Sequence, residues 1–172
     1  KYAVICFTER GAWVCRRLFH KLREAGGECE AVVPGRFLRE EWKKEGMKEP
    51  GGEPLSQWTG RMFAEKRGMI FVSAAGIAVR AIAPWVRDKM TDPPVVSVDE
   101  GAQFVLPLLS GHVGGANELA RCIAEWLGST PVITTATDVN GKFAVDLFAS
   151  VYHMVITDRK EAKNISAAVL EG

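Results

Sequence analysis

A serine, a histidine and three glycines stand together where an apolar run meets a predicted helix. Residues 107–120 read PLLSGHVGGANELA. Glycine lets the backbone approach a ligand closely, free N–H groups at a helix start attract anions, and histidine transfers protons near neutral pH. These residue types predict the rim of an anion-binding pocket with an acid–base group. The candidates are Ser110, Gly111, His112, Gly114, Gly115, Asn117 and Glu118.

The spacing within this loop argues against three familiar motifs. No lysine follows the glycines, so the loop is not the P-loop of a nucleoside triphosphatase. Gly111, Gly114 and Gly115 do not have the spacing of a dinucleotide-binding loop. Ser110 lacks the glycine two residues before it that a nucleophile elbow requires, which disfavours a serine hydrolase. A glycine-rich turn with His112 at the surface is the simpler alternative.

Two further polar segments follow predicted strands. Thr134, Thr135 and Asp138 come after the run PVITT, where they suit either the binding of acetate and propionate groups or an ordinary turn. Ser73 and Gly76 belong to a turn of small residues, SAAG, which suits either a bulky ligand or tight helix packing. Ligands of open α/β sheets bind beyond the carboxyl ends of the strands. We therefore expect these segments and the histidine loop to line one cleft.

Apolar runs alternate with helical stripes along the chain. The predicted strands cover residues 2–7, 29–34, 69–75, 95–99, 104–109 and 131–135. Predicted helices follow Thr8, Ser56, Gly76 and Gly115, and a late helix is predicted over residues 143–155. Strands that are apolar on both faces are typical of a parallel sheet covered by helices. The sequence predicts an α/β fold: an open, mostly parallel twisted sheet with helices on both faces.

The composition argues against several other classes of protein. The 172 residues carry a formal net charge of +1, which gives no reason to expect a nucleic acid or an anionic membrane as a partner. No apolar run is long enough for a membrane helix. The four cysteines form no C-x-x-C pair and the three histidines show no ligand spacing, so we expect no disulfide and no metal site. This cysteine usage fits a reducing cytoplasm.

Residues 73–146 resemble the CbiG family of cobalamin-biosynthesis proteins. The strings SGHVGGANELA at 110–120 and PVITTATD at 131–138 carry the resemblance, and together they are highly specific. The family acts as cobalt-precorrin-5A hydrolase, so the resemblance implies opening of the ring δ-lactone, release of acetaldehyde and formation of cobalt-precorrin-5B. Cobalt arrives in the corrinoid substrate, so no cofactor of the protein's own is expected. Other enzymes of the cobalamin pathway are candidate partners.

The resemblance also bears on domain organisation. Members of the family usually carry a further C-terminal domain, and this chain is too short to include it. We expect an α/β substrate-binding and catalytic domain over residues 1–146. Residues 147–172 are expected to form a helix and a linker towards the missing part, which leaves the activity of the fragment alone open.

The implied chemistry assigns roles to the candidates. Lactone opening needs a base that activates water and donors that hold the developing oxyanion. His112 is the first choice for proton transfer and Glu118 the second, while backbone N–H groups of Gly114 and Gly115 suit the oxyanion or a carboxylate of the substrate. The expected substrate-binding residues are Ser73, Gly76, Arg80, Ser110, Gly111, Gly114, Gly115, Asn117, Thr134, Thr135 and Asp138.

Other kinds of function stay open at this point. The chain could be a non-catalytic module that binds a corrinoid for another domain. A nucleotide-binding domain would need a phosphate loop with a lysine or a ribose-binding acid at the right spacing, and neither is present. A methyltransferase would need a cofactor-binding loop, which we do not find.

Overall fold

Six strands form one sheet in the computed structural model, which describes residues 1–141, 145, 148, 149, 152 and 154–171. The strands are β1 (Tyr2–Cys6), β2 (Cys29–Val32), β3 (Gly68–Val72), β4 (Val95–Val98), β5 (Phe104–Leu109) and β6 (Thr130–Pro131). Their order across the sheet is β2-β1-β3-β4-β5-β6. Neighbouring strands are parallel, except that β5 runs antiparallel to β4. The predicted open, mostly parallel sheet is confirmed.

Helices cover both faces of this sheet. They are α1 (Glu9–Glu24), α2 (Glu40–Glu45), α3 (Leu55–Ala64), α4 (Ala75–Ile82), α5 (Ala116–Leu127), α6 (Ala136–Val139) and α7 (Arg159–Glu171). On one face, α1 and α5 bury Leu18 and Ile123 in a common core. On the other face, α3 and α4 bury Met62 and Ile82. Full burial of such a side chain contributes roughly 1.5–3 kcal/mol.

The helix signals in the sequence are confirmed in two places and wrong in one. Thr8 Oγ1 accepts a hydrogen bond from the Gly11 N–H at 3.0 Å and caps α1, as predicted. The last residue of α4 is Ile82, two residues before Pro84, because proline disfavours helix continuation. The prediction that Ser56 caps α3 is wrong: Pro54 occupies the cap position with extended backbone angles, and the helix begins one residue after it.

The turn between β4 and β5 decides where the later loops lie. The Asp99 carboxylate accepts hydrogen bonds from three backbone N–H groups of this turn, at 2.6–2.9 Å. The chain reverses there, so Val95 at the start of β4 pairs with Leu109 at the end of β5. We call the end of the sheet where β1 to β4 begin the amino end, and the other the carboxyl end. The loop after β5 therefore lies at the amino end.

The last strand is shorter than predicted. The expected strand over residues 131–135 is reduced to Thr130–Pro131, which pairs in parallel with the start of β5. The Val132 N–H still donates to the carbonyl oxygen of Val105 at 2.8 Å, but no further strand pairing follows. Because β6 is parallel to β5, the segment after it also runs towards the amino end.

The C-terminal part is described only in pieces. Residues 142–144, 146, 147, 150, 151, 153 and 172 lie outside the described residues, and much of the predicted helix over 143–155 falls on them. The predicted domain boundary between residues 146 and 147 stays a prediction for the same reason. Among the described helices, none is long and apolar enough to cross a membrane.

Candidate functional site

The loop of residues 110–115 leaves β5 as a tightly bonded turn. Ser110 and Gly115 adopt left-handed backbone conformations, with φ of 57° and 83°. The buried Ser110 hydroxyl donates to the carbonyl oxygen of Asp92 at 2.9 Å, and so holds this loop to the one before β4. A hydroxyl that is used in this way is a structural group. The geometry agrees with the sequence argument against a serine nucleophile.

The N–H groups at the start of α5 are used inside the same turn. The N–H groups of Gly115, Ala116 and Asn117 donate to the carbonyl oxygens of His112, Ser110 and Gly111, respectively, at 2.9–3.0 Å. The expectation that the Gly115 N–H binds an oxyanion is therefore wrong, because that donor already has a partner. The closed turn instead fixes the direction in which its side chains leave the backbone.

A histidine and an aspartate from different segments meet above this turn. His112 Nε2 lies 2.7 Å from Asp138 Oδ2. Their side chains are 12% and 17% exposed, so the pair is mostly shielded from water. Asp138 reaches this position from α6, the short helix after β6. β5 and β6 end at the same end of the sheet. The segments that follow them, which contain His112 and Asp138, are therefore brought together.

Two further donors hold Asp138 in place. Asn117 is buried, and its Nδ2 donates to Thr135 Oγ1 at 2.9 Å and to Asp138 Oδ2 at 3.0 Å. Arg121, one helical turn after Asn117 in α5, donates from Nη2 to Asp138 Oδ1 at 2.5 Å. Asp138 thus accepts from a histidine, an amide and a guanidinium. Asn117 acts on this site through Thr135 and Asp138, since its amide is directed at both.

The charge state of Asp138 follows from these contacts. Burial disfavours its ionised form, but the hydrogen bonds from Arg121 and His112 outweigh burial and hold the pKa of Asp138 below the ordinary value of an aspartate. An ionised carboxylate can only accept hydrogen bonds, so His112 carries a proton on Nε2. In the neutral imidazole, Nδ1 is then the basic nitrogen. The pair has the arrangement of a general base whose tautomer is fixed by a carboxylate.

A pocket of about 220 Å³ opens beside His112. Its lining residues are Lys89, Ser110, Gly111, His112, Val113 and Thr135. Lys89 enters from the loop before β4, in which the buried Asp92 carboxylate accepts the N–H groups of Arg87 and Asp88 at 2.7 and 3.1 Å. An ammonium group and a histidine on one pocket wall suit a substrate that carries carboxylates. We call this the His112 pocket.

Three of the predicted site residues lie elsewhere. Ser73 is buried directly after β3, where its N–H donates to the carbonyl oxygen of Val98 at the far end of β4. Gly76 and Arg80 belong to α4, and Arg80 Nη1 donates to the Gly76 carbonyl oxygen at 3.2 Å. All three lie at the carboxyl end of the sheet. The expectation of one cleft shared with the histidine loop is wrong, because β5 runs antiparallel to β3 and β4.

Two other predicted residues lie near the site without joining the pair. Thr134 is exposed in the segment after β6. The Glu118 side chain is 72% exposed, and its Oε2 lies 3.6 Å from Arg121 Nη1. Its Oε1 accepts a long hydrogen bond from Cys122 Sγ at 3.8 Å. Glu118 does not line the His112 pocket, so the geometry favours His112 over Glu118 for proton transfer.

Sequence reasoning missed Lys89 and Arg121. Arg121 was detectable, because its spacing of four residues from Asn117 puts both side chains on one face of a helix. Lys89 had no such signal, since it comes from a loop without periodicity. The described residues contain no group of three or more His, Cys, Asp or Glu side chains placed to hold a metal ion.

Gly114 offers a direct test of the turn. A Cβ atom at Gly114 would lie 2.3 Å from Ser110 Cβ, so Gly114→Ala is expected to displace the loop and lower the free energy of unfolding by roughly 1–3 kcal/mol. Gly76→Ala is the matched control, because its Cβ would approach only the flexible end of Arg80, at 3.3 Å. It lies inside α4, where alanine is expected to stabilise the helix slightly. Urea unfolding of both variants measures the difference, and equal stabilities would contradict the described loop.

Comparison with known proteins shows what the chain that carries this site is similar to. Residues 57–138 match the family model described as cobalamin synthesis G N-terminal. That range contains Lys89, His112, Arg121 and Asp138. Cobalt-precorrin-5A hydrolase of Salmonella typhimurium is 40% identical over 161 residues, which are 93% of this chain and 42% of that protein. The chain is thus similar to the CbiG family over most of its length.

Further matches point to the same family. Cobalt-precorrin-5A hydrolase of Priestia megaterium is 33% identical over 98% of this chain and 44% of its own length. A crystal structure of a cobalamin biosynthesis protein G homolog from Sulfolobus solfataricus superposes with a TM-score of 0.56 at 23% identity. It covers 99% of this chain and 46% of that one, and it supports the fold. The chain spans less than half the length of each of these relatives.

Proposed function

We propose that this chain contains the proton-transfer site of a cobalt-precorrin-5A hydrolase. The observation that carries the proposal is the 2.7 Å contact between His112 and Asp138 at the wall of a pocket. Both residues lie in the range that matches the cobalamin synthesis G family, and relatives at 33–40% identity are named cobalt-precorrin-5A hydrolase. Cobalt belongs to the substrate in this proposal.

The first step of the proposed reaction is lactone opening. His112 Nδ1 removes a proton from water as the water oxygen attacks the lactone carbonyl carbon. The tetrahedral intermediate then collapses, the ring C–O bond breaks, and the imidazolium returns the proton to the departing oxygen. The products are a carboxylic acid and a secondary alcohol on the macrocycle. Ionised Asp138 stabilises the imidazolium, since it accepts the proton of Nε2.

The second step releases the two-carbon fragment. A base removes the alcohol proton, the oxygen forms the carbonyl group of acetaldehyde, and the bond to the macrocycle breaks. The electron pair of that bond stays on the ring carbon, which takes up a proton. The same histidine can perform both transfers, because it accepts one proton and returns one. Water is the only co-reactant consumed.

Lys89 and Thr135 support the binding of an anionic substrate in this proposal. Both line the His112 pocket, and the ammonium group of Lys89 is suited to a carboxylate side chain of a corrinoid. The proposed site does not include Ser73, Gly76 and Arg80, because these residues lie at the carboxyl end of the sheet.

The test is the release of acetaldehyde by the chain itself. Incubation with cobalt-precorrin-5A is expected to release one acetaldehyde for each lactone opened, measured by coupling to alcohol dehydrogenase and by the mass of the corrinoid. Binding of the substrate without acetaldehyde would favour the second candidate, a corrinoid-binding module. The module is favoured by one fact, namely that the chain spans only 42–46% of the relatives compared above.

A further inference from the structure

A second pocket lies at the amino end of the sheet, on the other side of the glycine loop. Its volume is about 370 Å³, and its lining residues are Tyr2, Ala25, Pro94, Gly114, Gly115, Glu118, Leu119, Cys122 and Trp126. We call it the Trp126 pocket. Consecutive residues of one loop line both pockets, since Ser110 to Val113 face the His112 pocket and Gly114 and Gly115 face this one. The two pockets are therefore neighbours.

The aromatic wall of the Trp126 pocket is held rigidly. The Tyr2 ring packs across two glycines: a Cβ atom at Gly27 would lie 3.1 Å from the ring, and one at Gly68 would lie 2.9 Å from it. The Gly68 position also adjoins Pro94, at 3.2 Å. Trp126 is half-buried and packs against the core between α1 and α5. An ordered, largely apolar wall of this kind suits a flat ring system.

The size of the His112 pocket calls for a second binding region. Pockets that enclose a drug-sized ligand usually measure roughly 300–1,000 Å³. The His112 pocket, at about 220 Å³, is smaller than that. It can accept a substituent and the reacting edge of a macrocycle, but the remaining rings must rest on protein surface outside it. The Trp126 pocket is the apolar surface that adjoins it.

The loop between the pockets is shaped for close approach. Gly115 has φ of 83°, and a Cβ atom built there would meet no other atom within 4 Å. The space above Gly115 is thus open, and only hydrogen occupies the side-chain position. A flat ligand can therefore cross from one pocket to the other in contact with the backbone.

Charge gives the ligand an orientation. The Glu118 carboxylate stands at the rim of the Trp126 pocket, whereas the Lys89 ammonium stands at the His112 pocket. Carboxylate side chains of a ligand are repelled by Glu118 and attracted by Lys89. The apolar face of the ring system is consequently directed to the Trp126 pocket and its acidic edge to the His112 pocket.

We propose that the Trp126 pocket is a subsite for the ring face of a carboxylate-bearing macrocycle whose reacting edge lies in the His112 pocket. This inference rests on the proposed function, because the ligand class comes from it. It adds a place for the part of the substrate that does not react. It also assigns Glu118 to orientation of the substrate and not to proton transfer.

Two variants of the chain test the subsite. Trp126→Ala removes the aromatic wall, and Cys122→Trp fills the pocket from its partly exposed side. The probe is cobyrinic acid, a corrinoid with carboxylate side chains, titrated by its visible absorption. Both variants are expected to raise the Kd about tenfold or more: Trp126→Ala because it removes roughly one aromatic contact, and Cys122→Trp because its side chain occupies the space of the ring. Circular dichroism checks that each variant is folded, and the second variant keeps the test valid if the first is unstable.

Trp13→Ala is the matched control. Trp13 is 44% exposed and lies near the start of α1, at the carboxyl end of the sheet. This variant also removes an accessible tryptophan, and it is expected to bind cobyrinic acid like the unchanged chain. Sodium propionate serves as the anion without a ring, and it is expected to compete poorly.

The outcomes separate this inference from the proposed function. Unchanged affinity of both pocket variants would overturn the subsite, even if acetaldehyde release continued. A rise in Kd for Trp126→Ala and Cys122→Trp, with Trp13→Ala unaffected, would support it. Binding of cobyrinic acid that is weakened by both pocket variants, together with no release of acetaldehyde from cobalt-precorrin-5A, would keep the subsite and overturn the proposed function.

Discussion

Replacing His112 with glutamine is expected to lower kcat for acetaldehyde release by about 10²- to 10⁴-fold, with little change in substrate affinity. Glutamine is similar in length and keeps a hydrogen-bonding group towards Asp138, but it cannot take up a proton. The variant therefore removes proton transfer while the turn around residues 110–115 is kept. Steady-state kinetics with cobalt-precorrin-5A measure kcat and KM separately.

The chain contains a matched control for this variant. His20 on α1 is also bonded to a carboxylate, with Nε2 at 2.9 Å from Glu45 Oε2. It lies on a helix and not in the loop after β5, and it lines neither pocket. His20→Gln is expected to leave kcat unchanged. Equal rates for His112→Gln and the unchanged chain would remove His112 from the mechanism, whatever the fate of the proposed substrate.

Replacing Asp138 with asparagine is expected to lower kcat by about 10²-fold or more, for a different reason. Asparagine can present its NH₂ group to His112 Nε2, and the imidazole then adopts the other tautomer with its proton on Nδ1. The basic nitrogen is then Nε2, which accepts the hydrogen bond of the amide, and the imidazolium loses the negative charge that stabilises it. A neutral amide also removes the nearer charged partner of the Arg121 guanidinium and leaves it only the more exposed Glu118 carboxylate at 3.6 Å among its described ion pairs.

The same variant has a pH-dependent effect on stability. The pKa of Asp138 is lowered in the folded protein, so its ionised form stabilises the fold at pH values above the unfolded pKa of about 3.9. That contribution is lost as the pH falls through the folded pKa. Asp138→Asn is expected to cost roughly 1–2 kcal/mol at pH 7, since Arg121 is partly exposed and its attraction is screened. The difference should shrink below pH 4.

Urea unfolding at pH 7 and at pH 3 tests this linkage. Glu24→Gln is the control, because Glu24 is an exposed helix carboxylate paired with Lys21. It is expected to change the unfolding free energy very little at either pH. An Asp138→Asn penalty that is equal at both pH values would show that the carboxylate does not owe its contribution to its charge.

The sequence predicts most of the fold because the relevant signals are local. The stripe of Val14, Leu18 and Leu22 in α1 is buried as its spacing predicts, and Thr8 caps the helix. The apolar runs that predict β1 to β4 are also local, so these strands can be predicted without knowledge of their neighbours in the sheet. The late strand, β6, is shorter than predicted: it pairs only with Phe104 and Val105, and the extent of such pairing is long-range information that a local apolar run does not carry.

The candidate site was predicted in part. The segments of His112 and Asp138 were expected to line one cleft, and the two side chains do lie together, 2.7 Å apart. Their direct contact was not predicted, because it depends on β5 and β6 ending side by side, which no local pattern encodes. The placement of Ser73 in the same cleft failed because the general rule for parallel sheets was applied across an antiparallel step. A connection as short as that between β4 and β5 permits a hairpin and excludes a parallel crossover. The necessary signal was therefore present in the sequence.

The hairpin at Asp99 has a consequence for the opposite end of the molecule. The Asp99 carboxylate fixes the length of the turn, because it accepts hydrogen bonds from three backbone N–H groups. The length of the turn in turn sets the register in which β5 leaves it against β4. One inserted residue would slide β5 by about 3.4 Å and exchange its two faces. The step would reach Pro107, opposite Val96, and so change how the chain enters the register irregularity before Leu109, where the histidine loop begins. Asp99 lies about 20 Å from His112, at the far end of a six-residue strand, and thus helps to set the position of the histidine from a distance.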